Sequence, residues 1–588
     1  MLKKFFISML GTMAGIWIST ALVILGGFML VGSAVSNMNF NTDVTVDNHS
    51  ILYFDLSGVV QERNVTPSFM QLIQSIDDNT LSLEDMLLSL RSAAENDKIE
   101  GLYLDCSGAY INPASRQELI EEINNFKLSG KWVVAYGDSY TEGDYMLAST
   151  ADSLYLNPMG AVDIHGLGAT SAYFKGTLDK LGVRMQVLKV GTFKSAVEPF
   201  ILSSMSEPAR LQLQQYLDSI WCDIAETMAV NRNIPVDSIY AWAPQLISMD
   251  KSHTFVEKGL VTSLKYRREV ESYLKGLTGL DSSEDLRLVS PAEYMASCDD
   301  FDYPASKKHV AVYYAFGDIV DSGKEGIVGS TVVNDIVSLA DDDNVEGLVL
   351  RVNSPGGSAF ASEQIWESLQ YFKSKGKPLY VSMGDYAASG GYYISCGADS
   401  IFADPSTITG SIGVFGLIPD LSGLVTDKFG ITFSSVETNS NAAPVTVMEP
   451  MSGPQLDAMQ KSVEDIYDLF TRRVAEGRHM PQDSVKAIAE GRVWIATRAL
   501  QLGLVDRIGS LDRTVSVMLD NLGMDTDQVV RYPVGEDEVW QRILKEYGKI
   551  DELKVSGLDR ETLETLEAVR KLREMNPIQA RSAIFRFE

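Results

Sequence analysis

Ser389 stands in GDYAASGGYY, residues 384–393, directly after the apolar run KPLYVSM. A serine at a strand-to-helix turn sits beside unpaired N–H groups and the positive end of a helix dipole. Its hydroxyl is placed there to attack a carbonyl, and the Gly390 N–H can face the oxyanion that results. A second donor is available from Gly356 in NSPGGS, residues 353–358, a loop leaving a neighbouring strand. Two such donors suit the tetrahedral intermediate of acyl transfer, and losing one typically costs about 10²–10³ in rate. The same ASGG turn also serves close backbone packing, so these residues alone leave both readings open.

A serine hydroxyl is a weak nucleophile without a base. The five histidines are far apart; the serine's copy has none within its matched motifs, and His479 falls in a later helical stretch. Lys194, in KVGTFKSAVEPF (residues 189–200), is followed by small and apolar residues. Burial there would lower its pKa and leave a neutral amine able to act as base, and Ser–Lys pairs are a variant of triad logic. The alternative is an ordinary surface lysine. Ser354, Ser358, Ser395 and Ser411 compete with Ser389 as candidate serines. Ser411, in TITGSIGVFG, is placed either to hydrogen-bond the lysine amine or to satisfy the backbone of a turn.

The elements that must position these residues come in two copies. Residues 100–149 and 346–395 both run from EGL through an apolar strand, a loop, a helix ending in FK, a second strand and a GD turn. ADSLYLNPMGAV parallels ADSIFADPSTIT, LDKLG parallels TDKFG, MSEP parallels MSGP, and VEKGLVTSL parallels LQLGLVDRI, always 244 to 248 residues apart. A register held this long marks a duplicated domain. Within each copy, strands such as GLVLRV alternate with helices such as ASEQIWESLQYFKS, which predicts a mostly parallel α/β sheet with crossover helices.

The copies differ where chemistry would lie. The second has NSPGGS and AASGG; the first has CSGAYI and YTEGD, with Glu142 at the position of Ser389. The first has Lys194, whereas the matching ETNSNAAPVTV has no lysine. Complementary loss is what a dyad shared between halves would leave.

Composition narrows the alternatives. A formal charge of −29 argues against nucleic-acid binding, which needs clustered Lys and Arg. Four scattered cysteines suggest neither a disulfide framework nor a zinc ribbon, and no metal or organic cofactor is expected. After Lys3 and Lys4 no charge occurs until Asp43, and residues 5–35 are apolar enough to span a bilayer, which needs roughly 20 residues as helix. Gly32-Ser33-Ala34 imitates a signal-peptide cleavage site, but the apolar run is longer than such peptides use. The lysines would stay cytoplasmic, placing the rest across the membrane.

VNSPGGS, SMGDYAASGGYYIS, DPSTITGSIGVFG and GTFKSAVEPF, with GRVW (491–494) before GLVD (503–506), closely resemble signal peptide peptidases of the SppA type, in their long two-repeat form. The resemblance covers nearly the whole chain. It implies two tandem Clp/crotonase-like domains of parallel-sheet ββα repeats behind an N-terminal transmembrane helix. The expected divisions are an anchor at 1–45, a lysine-bearing repeat at 46–305, a serine-bearing repeat at 306–540 and a helical C-terminal arm at 541–588. By position, the nucleophile falls on Ser389, the general base on Lys194, the oxyanion donors on Gly356 and Gly390, and the serine supporting the lysine on Ser411. A periplasm-facing homotetramer in the bacterial inner membrane, degrading remnant signal peptides, is implied. The rival readings are a crotonase-like acyl-CoA enzyme and a non-catalytic membrane scaffold.

Overall fold

In the computed structural model, β1 (Ser50–Leu56), β2 (Ile99–Cys106), β3 (Trp132–Gly137) and β4 (Ser153–Leu156) lie side by side in one parallel sheet. Ser263–Leu264 extends it beyond β4, and Leu288–Val289 beyond β1. The next strand, β5 (Arg184–Val190), does not join this sheet. The second half contributes β6 (His309–Phe316), β7 (Val345–Ser354), β8 (Gly356–Ser358), β9 (Leu379–Ala388), β10 (Ile408–Gly410), β11 (Val414–Asp420) and β12 (Val493–Ile495). A last strand, β13, spans Ile578–Arg581. The structure describes residues 46–63, 80–298, 308–323, 325–439, 442, 445–533 and 578–581, all in one structural unit.

The duplication is visible in topology. β6, β7, β9 and Ser400–Ala403 follow the order of β1 to β4, flanked by Arg507–Ile508 and Val529–Tyr532 as the first sheet is flanked by its own short strands. The second sheet continues from β9 through β10 to β12, and only the β10–β12 pair is antiparallel. Its central strands are apolar without alternation because helices cover both faces: Leu348, Val349 and Leu350 are all fully buried.

Six helices matter to the site: α1 (Pro113–Leu128), α2 (Glu142–Ala148), α3 (Glu207–Arg232), α4 (Ala359–Ser374), α5 (Gly390–Ser395) and α6 (Gly453–Gly477). The repeated MSEP and MSGP are helix starts. Ser206 caps α3 by accepting from the Ala209 N–H, and Ser452 caps α6 by accepting from the Gln455 N–H. Pro208 and Pro454 fall in the first turn, where a missing N–H costs no hydrogen bond.

A further sheet joins the halves, in the order Ile327–Val328, Ile319–Val320, β8, β13, β11, β5. Here β5 of the lysine-bearing half pairs antiparallel with β11 of the serine-bearing half, from Arg184 opposite Asp420 to Val190 opposite Val414. Residues 578–581 depart from the helical arm expected of the C-terminal region. They are extended because β8 and β11 both present edges whose backbone groups a strand between them satisfies. The apolar run at 5–35 lies outside the described residues; among the described residues no helix is long and apolar enough to cross a membrane.

Candidate active site

β9 runs to Ala388, and α5 begins at Gly390. Ser389 makes the turn between them with φ 58° and ψ −113°, a conformation that L side chains rarely adopt. Two backbone bonds hold it: its N–H donates to Gly410 O at 2.8 Å, and its carbonyl accepts from the Tyr393 N–H at 2.9 Å. Upstream, Asp385 of the GD turn is anchored by the other half. Its Oδ1 accepts from the Ala114 and Ser115 N–H groups, both at 3.0 Å at the start of α1, and its Oδ2 from Ser115 Oγ at 2.6 Å.

Lys194 reaches this turn because β5 pairs with β11, which delivers the residues after Val190 alongside residues 411–413. Lys194 Nζ lies 2.7 Å from Ser389 Oγ, 3.1 Å from Ser411 Oγ and 3.2 Å from Ser411 O. Both side chains are inaccessible, Ser389 at 0% and Lys194 at 1% exposure. Burial holds the Lys194 amine well below the usual lysine range. An ammonium without a compensating carboxylate loses its hydration, so the neutral form is favoured.

Glycines make room for the lysine stem. A Cβ on Gly491 would stand 2.7 Å from Lys194 Cβ, and one on Gly413 would stand 2.7 Å from Gly491 Cα. Gly491 also has φ +75°, and the adjacent Glu490 carbonyl accepts from the Phe193 N–H at 2.9 Å. Their spatial role escaped sequence reasoning, although the GRVW motif that begins at Gly491 was a signal.

The other predicted residues divide clearly. Ser354, Ser358 and Ser395 serve structure: Ser354 Oγ donates to Gly317 O at 2.6 Å, Ser358 caps α4 through the Ala361 N–H, and Ser395 Oγ donates to Gly391 O at 2.7 Å. Gly356 has φ +101°, which suits glycine, and its N–H donates to Ser354 Oγ at 3.1 Å within its own loop. Gly390 opens α5 beside Ser389. In the first half, Glu142 at the matching turn accepts from the His165 and Gly166 N–H groups, so a carboxylate closes the place that Ser389 occupies in the second.

Beneath the site lies an ionic cluster that sequence reasoning missed, because its members belong to different halves. Arg351 Nε and Nη2 each donate to Glu62 at 3.0 Å, and Nη1 lies 2.7 Å from Glu118 Oε1. Asp404 is held well above the carboxylate range, by burial and then by the neighbouring Glu118.

The chain resembles known proteases along most of its length. Residues 125–281 and 371–525 each match the model of peptidase family S49, at the interval of the internal repeat, and residues 321–407 match that of Clp protease. It is 36% identical to "Protease 4" of Haemophilus influenzae, covering 84% of this chain and 83% of that one. Identity to "Protease 4" of Salmonella typhi is 35%, over 79% of this chain and 77% of the relative. "Serine protease SPPA, chloroplastic" of Arabidopsis thaliana is 27% identical over 80% of this chain and 68% of its own.

Proposed function

As a member of peptidase family S49 this chain is a serine protease, and we propose that it is a membrane-anchored endopeptidase degrading remnant signal peptides through a Ser389–Lys194 dyad. The observation that carries the dyad is the 2.7 Å separation of Nζ and Oγ in a buried pocket. Ser389 O–H donates to the neutral Lys194 amine and its oxygen attacks the peptide carbonyl. The oxyanion is received by the Gly390 N–H and by the Gly356 N–H, which exchanges Ser354 Oγ for it. Lys194, now an ammonium, gives its proton to the leaving amine, and water then releases the acyl group by the same base. Ser411 Oγ and O orient the amine throughout.

The apolar run at 5–35 supports an inner-membrane anchor with the protease domains, 46–305 and 306–540, on the periplasmic side. Signal peptides have apolar cores, so an enzyme tethered there meets them where they accumulate. Homotetramer assembly follows the resemblance to SppA-type enzymes. Labelling with a fluorophosphonate probe tests the dyad: wild type is labelled at Ser389, and Lys194→Ala is not. Equal labelling of both proteins would remove Lys194 from the mechanism.

A further inference from the structure

β7 and β9 pair in regular register up to Val352 opposite Met383, and pairing resumes with Ser354 opposite Ala387. Over that step β7 advances two residues and β9 advances four, so β9 carries a bulge at Gly384–Tyr386, just before Ser389. A bulge takes backbone groups out of the ladder and re-aims the strand that bears it. Side chains satisfy the groups released here. Asn353 Oδ1 accepts from the Tyr386 N–H at 3.0 Å, and Thr407 Oγ1 donates to Gly384 O at 2.7 Å.

The Asn353 amide is matched to three neighbours at once. Its Nδ2 donates to Glu62 Oε1 at 2.7 Å and to Asp385 Oδ2 at 3.1 Å. Two carboxylates need a donor and one N–H needs an acceptor, and a primary amide presents both from one short side chain. Aspartate there would add a third carboxylate; alanine would strip all three neighbours of this partner. The bulge lies directly against these groups: a Cβ on Gly384 would fall 2.4 Å from Glu62 Oε1 and 3.1 Å from Asn353 Nδ2. In the first half, β2 and β3 keep an unbroken register to Cys106 opposite Gly137, where pairing ends, and the loop CSGAYI has no asparagine. Bulge and amide occur together in the copy that carries the serine.

We propose that Asn353 is a positioning residue: by bridging the bulge, it sets the spacing between the loop that carries the Gly356 N–H and the turn that carries Ser389 and the Gly390 N–H, so that both donors reach one oxyanion. The proposal rests on the assignment of Ser389 as nucleophile and of these two amides as its oxyanion donors. Asn353 stands where the two segments diverge. Its main chain fixes the loop side: its carbonyl accepts from the Gly317 N–H at 3.0 Å, and the next residue, Ser354, donates through Oγ to Gly317 O at 2.6 Å. Its side chain fixes the strand that ends in the serine turn. Oxyanion donors act at about 2.7–3.1 Å, and a displacement of about 1 Å can cost about 10²-fold in rate.

Inhibition of the full chain by acetyl-trileucine aldehyde and by the matching alcohol tests this, with cleavage of a fluorogenic apolar peptide as the signal. In the aldehyde complex a bond forms from Ser389 Oγ to the carbonyl carbon, the C=O π bond breaks, the hydroxyl proton passes to Lys194, and the carbonyl oxygen becomes the oxyanion. The alcohol makes the same side-chain contacts and forms no oxyanion. Asn353→Ala should lower kcat and the affinity for the aldehyde by about 10²-fold each, and leave KM and the affinity for the alcohol unchanged. Thr407→Val removes the hydroxyl that holds the other side of the bulge and keeps the side-chain shape. It should give a smaller loss of the same kind, and it carries the test if Asn353→Ala does not fold. Unchanged kcat, or equal losses of aldehyde and alcohol affinity, would overturn the proposal. Wild-type protein that is unlabelled by fluorophosphonate and cuts no peptide would instead refute the assignment of Ser389, and this inference with it.

Discussion

Lys194 Nζ and Ser389 Oγ stand 2.7 Å apart although 195 residues separate them in sequence. The contact is made by a strand of one half pairing with a strand of the other, and each side chain comes from a copy whose counterpart lacks it. Ser389→Ala and Lys194→Ala should therefore each lower kcat on an apolar-rich unfolded peptide by at least about 10³-fold, and the double variant should lose little more than either alone. Steady-state kinetics of the three proteins checks this; additive losses would mean that the two groups act independently.

Protonation of Lys194 sets the direction of the pH response. Its folded-state pKa lies well below the ordinary 10.5, so kcat/KM should rise with pH through that lowered value and level off before 10.5. Stability should follow the same window. Between the folded and unfolded pKa values the unfolded chain binds more protons, so this group makes stability increase with pH. Lys194→Met removes that slope, and it should raise resistance to urea more at about pH 7 than at about pH 10. An equal gain at both would contradict a neutral buried amine.

Ser411→Ala deletes the hydroxyl 3.1 Å from Lys194 Nζ and leaves the carbonyl at 3.2 Å. We expect kcat to fall about tenfold and KM to hold, because amine orientation is lost and not peptide binding. Ser411 Oγ also accepts from the ammonium, so the acid limb of the pH profile should move to lower pH. An unmoved limb would reduce Ser411 to a turn residue.

Gly491→Ala places a methyl carbon 2.7 Å from Lys194 Cβ, at a position with φ +75°. Destabilisation of about 1–3 kcal/mol is expected from overpacking and strain, together with a loss of kcat greater than a stability change explains. Urea unfolding and turnover measured on the same samples separate the two effects.

Arg351→Met leaves Glu62 and Glu118 buried without their cation. The expected cost is about 3–5 kcal/mol, as for other buried pairs broken on one side. Urea unfolding near neutral pH checks the magnitude, and an unchanged midpoint would mean that the carboxylates are already neutral there.

Much of this was legible in the chain. The repeat, the strand–helix alternation and the capping serines with their prolines are short-range patterns, and local physics alone turns them into elements. Residue identity at matched positions, Ser389 against Glu142 and Lys194 against none, already marked the two as a candidate pair. Pairing across the halves is different, because it depends on which edges remain open after each sheet has formed. Nothing near Arg184–Val190 says that this strand leaves its own sheet for β11, and nothing near Glu62 announces Arg351. The C-terminal segment makes the point most clearly: its charged sequence reads as helix, and two strand edges in need of hydrogen bonds draw residues 578–581 into extended form. Sequence by itself determined the elements and the chemical inventory; tertiary structure decided which distant groups share one dry pocket, because burial and edge pairing are properties of the assembled fold and not of any local stretch.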